Sequence, residues 1–111
     1  MPSRKRRPVL DDIRTLAGPD RPRLASFRKR IAAGIERTRR IGPPADAQAV
    51  HGVLVGALQM ADTAARLRQD AIASGTLKQA WDASAAAAGS LMLAERARAD
   101  LERVLEPPQP R

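Results

Sequence analysis

Two long segments carry a sustained heptad pattern, and only a short turn signal separates them. Between Ala45 and Ser74 the seam reads Ala47, Val50, Leu54, Ala57, Ala61, Ala64, Arg68, Ala71. Between Leu77 and Leu105 it reads Leu77, Ala80, Ser84, Ala87, Leu91, Ala94, Arg98, Leu101, Leu105. Spacings alternate three and four, the signature of a left-handed supercoiled helix pair. Pro44 opens the first helix, and Gly75 suits the left-handed residue that stops it. Thr76 and Gln79 form a T-x-x-Q capping signal for the second. A turn as short as Ser74-Gly75-Thr76 makes the two helices antiparallel, each about 45 Å long at ~1.5 Å per residue. Alanine dominates the seam, so the backbones should approach closely. Arg68 and Arg98 interrupt it and are expected to bury their stems and carry the guanidinium to the edge.

Proline and glycine divide the rest of the chain. Gly18-Pro19 and Pro22 precede a third helix over about 21–41, with Asp20 as its cap and Pro22 in its first turn. Leu24, Phe27, Ile31, Gly34, Thr38 and Ile41, with Ile35 beside them, give that helix one narrow apolar stripe. A shorter helix over about 9–17 is expected ahead of it. Gly42-Pro43-Pro44 is the strongest break, and residues 106–111 read as a proline-rich tail. No run of alternating β-branched residues occurs, so no strand is predicted. The expected fold is all-α: an alanine-rich antiparallel hairpin with a basic N-terminal helix. One domain spans 21–105, with helices over about 21–41, 45–74 and 77–105. Residues 1–20 are expected to be a basic arm, largely disordered or a short helix.

The hairpin has more apolar surface than one seam uses. Val53, Met60 and Leu67 form a second row one residue off the first helix's seam, and residues 83–94 are uncharged on every side. A helix without a polar face is buried all round. The expectation is therefore that two hairpins pair into a helical bundle as a homodimer, with Ala86, Gly89, Ser90, Leu93, Val53, Met60 and Leu67 at the contact. A small domain with few large core residues needs such reinforcement.

Charge is distributed unevenly. The chain of 111 residues has a formal net charge of +8. Residues 1–43 hold thirteen basic and four acidic side chains, whereas residues 44–111 hold seven and eight. A near-neutral hairpin thus carries a strongly basic N-terminal part, which attracts polyanions by counterion release. The candidate contact residues are Arg4, Lys5, Arg6, Arg7, Arg28, Lys29, Arg30, Arg37, Arg39 and Arg40. Arg37–Arg40 are also placed to dock on Asp46 and Glu106. No helix-turn-helix, zinc finger or ribonucleoprotein sheet is recognisable, so no base readout is expected. The reading is a self-associating helical interaction or scaffolding module whose basic arm contacts a polyanion or an acidic protein. The alternative is a sequence-nonspecific nucleic-acid-binding protein dimerised through its hairpin.

Chemistry is sparse. The chain has no Cys, one His and only Phe27 and Trp81 as aromatics. That excludes thiol catalysis, thiolate metal sites, a multi-histidine centre and a base-stacking platform. His51 falls on a polar shoulder, expected near Arg98–Asp100. No Glu-x-x-His pair and no phosphate-binding glycine loop occurs, so no metal and no cofactor is assigned. Glu95 and Glu102 bracket Arg98 at helical spacing and read as salt bridges. Arg23 to Ser26 matches a basic-directed phosphorylation pattern. Trp81, past the hairpin tip, is expected to cover Ile72 or the stem of Arg68. Nothing resembles a secretory signal, and no apolar stretch reaches the roughly 20 residues of a membrane span. The expectation is a non-enzymatic, cytoplasmic protein.

Overall fold

The computed structural model describes residues 8–105, which are helical with no strand among them. The helices are α1 (Val9–Arg14), α2 (Arg21–Arg40), α3 (Gln48–Ser74) and α4 (Leu77–Leu105). A 3-10 turn over Ala45–Ala47 leads into α3, so the expected helix from residue 45 becomes regular only at Gln48. No helix among the described residues is long and apolar enough to cross a membrane.

Local chemistry sets most boundaries. Asp20 Oδ1 accepts from the Arg23 amide at 3.0 Å, satisfying one free donor at the start of α2, with Pro22 in the first turn. Gly75 has φ 69° and returns its amide to the Ala71 carbonyl at 2.8 Å, the left-handed stop for α3. Thr76 Oγ1 donates to Gln79 Oε1 at 3.0 Å, and Ser74 Oγ joins the same acceptor. The T-x-x-Q pair meets, but side chain to side chain. α1 is shorter than expected because it ends in a Schellman motif: Ala17 donates to the Asp12 carbonyl at 2.9 Å and Leu16 to Ile13 at 3.2 Å. Leu16 holds φ 63° there, a conformation usually left to glycine.

α3 is the spine. α4 packs along it, α2 packs on another side, and no Cα of α2 comes within 8 Å of α4. The three long helices therefore splay, and α1 fills the gap at one end. Val9 and Ile13, one turn apart, join Leu24 of α2, Ala64 and Ala65 of α3, and Ala83 and Ala87 of α4 in the core. Ile13 is 1 % exposed and Leu24 fully buried. The expected boundary at residue 20 is consequently not a packing boundary, since α1 is the keystone of the core. Arg23 Nη1 reaches the buried Asp12 of α1 at 3.3 Å, and Ser84 of α4 donates to the Arg14 carbonyl. With α4 packed lengthwise on α3 and all four helices meeting only at one end, the molecule is elongated, 58 × 36 × 23 Å with a radius of gyration of 16.4 Å. A compact chain of this length would have about 13 Å.

The α3 seam is largely as expected: Val50, Ala57, Ala61, Ala64 and Ala71 are buried, while Leu54 is exposed. The α4 seam is corrected. Ala80, Ser84 and Ala87 of the expected seam are buried, together with Ala83, Ser90 and Ala97, whereas Ala94, Arg98, Leu101 and Leu105 of the expected seam are exposed. Towards its C-terminal half the helix presents Ser90 and Ala97 in place of Leu91 and Arg98, while Ser84 is buried against α1. Two helix backbones approach closest where side chains are smallest, and Ser90 and Ala97 are the smaller pair. Ser90 Oγ donates to the Ala57 carbonyl at 2.8 Å across this contact.

Candidate polyanion-binding surface

The apolar stripe of α2 fixes its orientation. Leu24 is buried, Phe27, Ile31, Gly34 and Ile35 are half-buried, and the basic residues are left on the remaining surface. A methyl built on Gly34 would lie 4.0 Å from Leu58, so α2 sits close to α3 there. His51 Nε2 donates to the Thr38 carbonyl at 2.7 Å and anchors the last turn of α2 on α3. His51 is thus tied to α2, not to the Arg98–Asp100 region. The expected position followed from the α3–α4 register alone and left α2 out.

Arg28 is also claimed inside the fold. Its Nε and Nη2 donate to the two carboxylate oxygens of Asp62 at 2.9 and 3.2 Å, and Nη1 donates to Gln69 Oε1 at 3.1 Å. The Asp62 hydrogen bond raises the guanidinium pKa above its ordinary value, with desolvation opposing. A bidentate carboxylate fork is a geometric lock. Arg28 therefore belongs to the α2–α3 joint and leaves the candidate set. The signal was present in the sequence: Arg28 borders the apolar stripe of α2, and Asp62 and Gln69 lie seven apart on the shoulder of α3.

The remaining cations divide by helix. On α3 and α4, Arg66 pairs with Asp70, Lys78 with Asp82, Arg96 and Arg103 with Asp100, and Arg98 with Glu95 and Glu102. Arg68 stands apart, with its Nε buried and without a hydrogen-bond partner among the described residues, so its stem is buried as expected. On α2, Arg21, Lys29, Arg30, Arg37 and Arg39 are exposed and have no ion-pair partner among the described residues. Arg40 reaches Glu36 on its own helix at 3.5 Å, an exposed pair of little energetic weight. The expected docking of Arg37–Arg40 on Asp46 does not occur. Glu106 and the basic cluster Arg4, Lys5, Arg6 and Arg7 lie outside the described residues.

At helical spacing, Arg30 and Arg37 form one row and Lys29 and Arg40 another, with Ser26 and Ala33 between them. Ser26 is exposed in a shallow depression it shares with Pro22, Arg23 and Arg30. Such a surface offers several point charges and guanidinium forks to phosphate or carboxylate groups, with no wall or pocket to select a base. Among the described residues, no three His, Asp or Glu side chains come together as a metal site.

The residues expected at a self-association contact are spent mostly within one chain. A methyl on Gly89 would meet the Met60 sulfur, Leu93 packs near Gly56, and Ala86 and Leu67 pack against the core. Ser90 is enclosed by the Ala57 bond and has no surface left for a second chain. Met60 keeps part of its surface, and Val53 is half-buried. Trp81 stands 57 % exposed. Compared with protein-family models, with curated proteins and with solved structures, the chain matches none.

Proposed function

We propose that this chain is a non-catalytic helical interaction module whose basic α2 face engages a polyanion through phosphate-type contacts without base selectivity. One observation carries the reading. The cations of α3 and α4 other than Arg68 are paired with acids of their own helix, while Arg21, Lys29, Arg30, Arg37 and Arg39 of α2 are left without acidic partners among the described residues. Unpaired cations on one rigid surface release counterions when they meet phosphates. Arg28 and His51 support the reading from behind, because they fix α2 on α3 and hold the charged face in one orientation.

The test is binding of the full chain to labelled duplex DNA and single-stranded RNA over a salt series. Five or more phosphate contacts give a log–log slope of about −4 to −8 on duplex. The double variant Arg30→Glu/Arg37→Glu should lower affinity at least about tenfold and flatten the slope by about 2 or more. Equal affinity for duplexes of unrelated sequence is expected. An acidic protein partner becomes the better reading if nucleic-acid binding is absent at physiological ionic strength.

A further inference from the structure

α4 leaves one apolar face uncovered. Leu77, Trp81, Ala85, Ala88 and Met92 follow one another at spacings of four, four, three and four, a single stripe along the helix. Leu77 is 66 %, Trp81 57 % and Met92 73 % exposed. α3 lies against another side of α4, and the Ser84 contact with α1 lies beside the stripe. The most exposed large apolar residues of the molecule therefore include three on one line, beside a groove shared by Ala88, Met92 and Arg14. This is not the surface expected from the sequence, most of which is packed within the chain.

We propose that this stripe binds the same stripe of a second copy, with the two α4 helices antiparallel and a two-fold axis close to Ala88. Size and charge both select that arrangement. Antiparallel pairing about the Ala88–Gly89 peptide sets each Met92 on the partner copy's Ala85, and small meets small at the centre. It also sets Trp81 beside Arg96, whose guanidinium stacks on an indole face. On one flank, the Lys78–Asp82 pair runs alongside the Arg96–Asp100 pair, which brings Lys78 towards Asp100 and Asp82 towards Arg96 across the axis. Parallel pairing does the opposite: Trp81 meets Trp81, Met92 meets Met92, and the flank that carries both charge pairs faces the partner copy's other flank, so the two pairs never meet. An isologous contact needs a self-complementary patch, and here the large and small residues and the two charge pairs are distributed as such a patch requires. The site lies on a different helix from the polyanion surface, so the two proposals stand or fall separately.

Sedimentation equilibrium of the full chain from low to several hundred micromolar tests it. The expected mass rises from 12.0 kDa to twice that value. Trp81 is the sole tryptophan, so its emission should shift blue and its acrylamide quenching fall as the dimer forms. Met92→Glu should weaken dimerisation at least about tenfold while leaving helical circular dichroism unchanged, because Met92 is 73 % exposed. Asp82→Lys should weaken it too, and Asp82→Lys/Arg96→Glu in one chain should restore it. The double variant leaves both intrahelical pairs broken and re-forms only the contact between copies. A chain monomeric throughout the range overturns the proposal. So does a dimer that ignores Met92→Glu and keeps Trp81 quenchable, and failure of the double variant to recover overturns the antiparallel register. Arg30→Glu/Arg37→Glu should leave the dimer mass unchanged, which separates this surface from the polyanion reading.

Discussion

Ser90 donates its hydroxyl across the closest part of the α3–α4 contact, to a carbonyl within α3. Its size matters as much as its bond. Ser90→Ala removes one hydrogen bond and keeps the volume, so it should cost about 1 kcal/mol. Ser90→Leu puts three carbons where one oxygen stood, in a contact built for small side chains, and should cost about 3 kcal/mol or more. Urea unfolding followed by circular dichroism measures both, and equal costs would show that packing at this point is loose. Arg28 makes a related point. In the sequence it is one basic residue among many on α2, yet its fork on Asp62 makes it a structural joint. Residue type marked the helix as basic, and only the position of α3 decided which arginine is spent.

At the scale of the helix, α4 carries its own electrostatic support. Arg98 donates to Glu95 and, at 2.6 Å, to Glu102. The Arg98 hydrogen bond holds the Glu95 carboxyl below its ordinary value of 4.5, with the charge of Arg98 adding to it. A lowered carboxyl pKa contributes stability that is present above the unfolded value and lost as pH falls through the folded one. Replacing Glu95 with Gln should therefore lower the melting temperature slightly near neutral pH, and the gap should close as pH drops below the carboxylate range. The effect is small because the pair is exposed. Thermal melts of both proteins from about pH 7 to about pH 3 check it, and a gap that persists in acid would assign the loss to packing. This ion-pair group was legible in the sequence because helix spacing alone brings the three residues together.

For the whole molecule, stability is concentrated where all four helices meet. Ile13, Val9 and Leu24 are the large buried side chains there, and alanine supplies nine of the thirteen buried apolar residues among those described. Ile13→Ala should cost about 3 kcal/mol, whereas Leu105→Ala at the far, exposed end of α4 should cost less than about 0.5 kcal/mol. Denaturant melts of the two variants measure the contrast, and similar costs would mean that α1 is not the keystone. The sequence by itself determined the helices, the start of α2, the turn between α3 and α4, the antiparallel hairpin and the excess of charge ahead of Pro43. Each rests on interactions a few residues apart: heptad spacing, a cap at Asp20, a left-handed glycine at position 75. It did not determine which face of α4 meets α3, because two neighbouring rows are both apolar over the alanine-rich stretch and periodicity is blind to a small rotation. Nor did it determine that α1 closes the core, since six residues are too short to show a period. Tertiary structure decided both, through the requirement that close backbones take the smallest side chains and that the gap between splayed helices be filled.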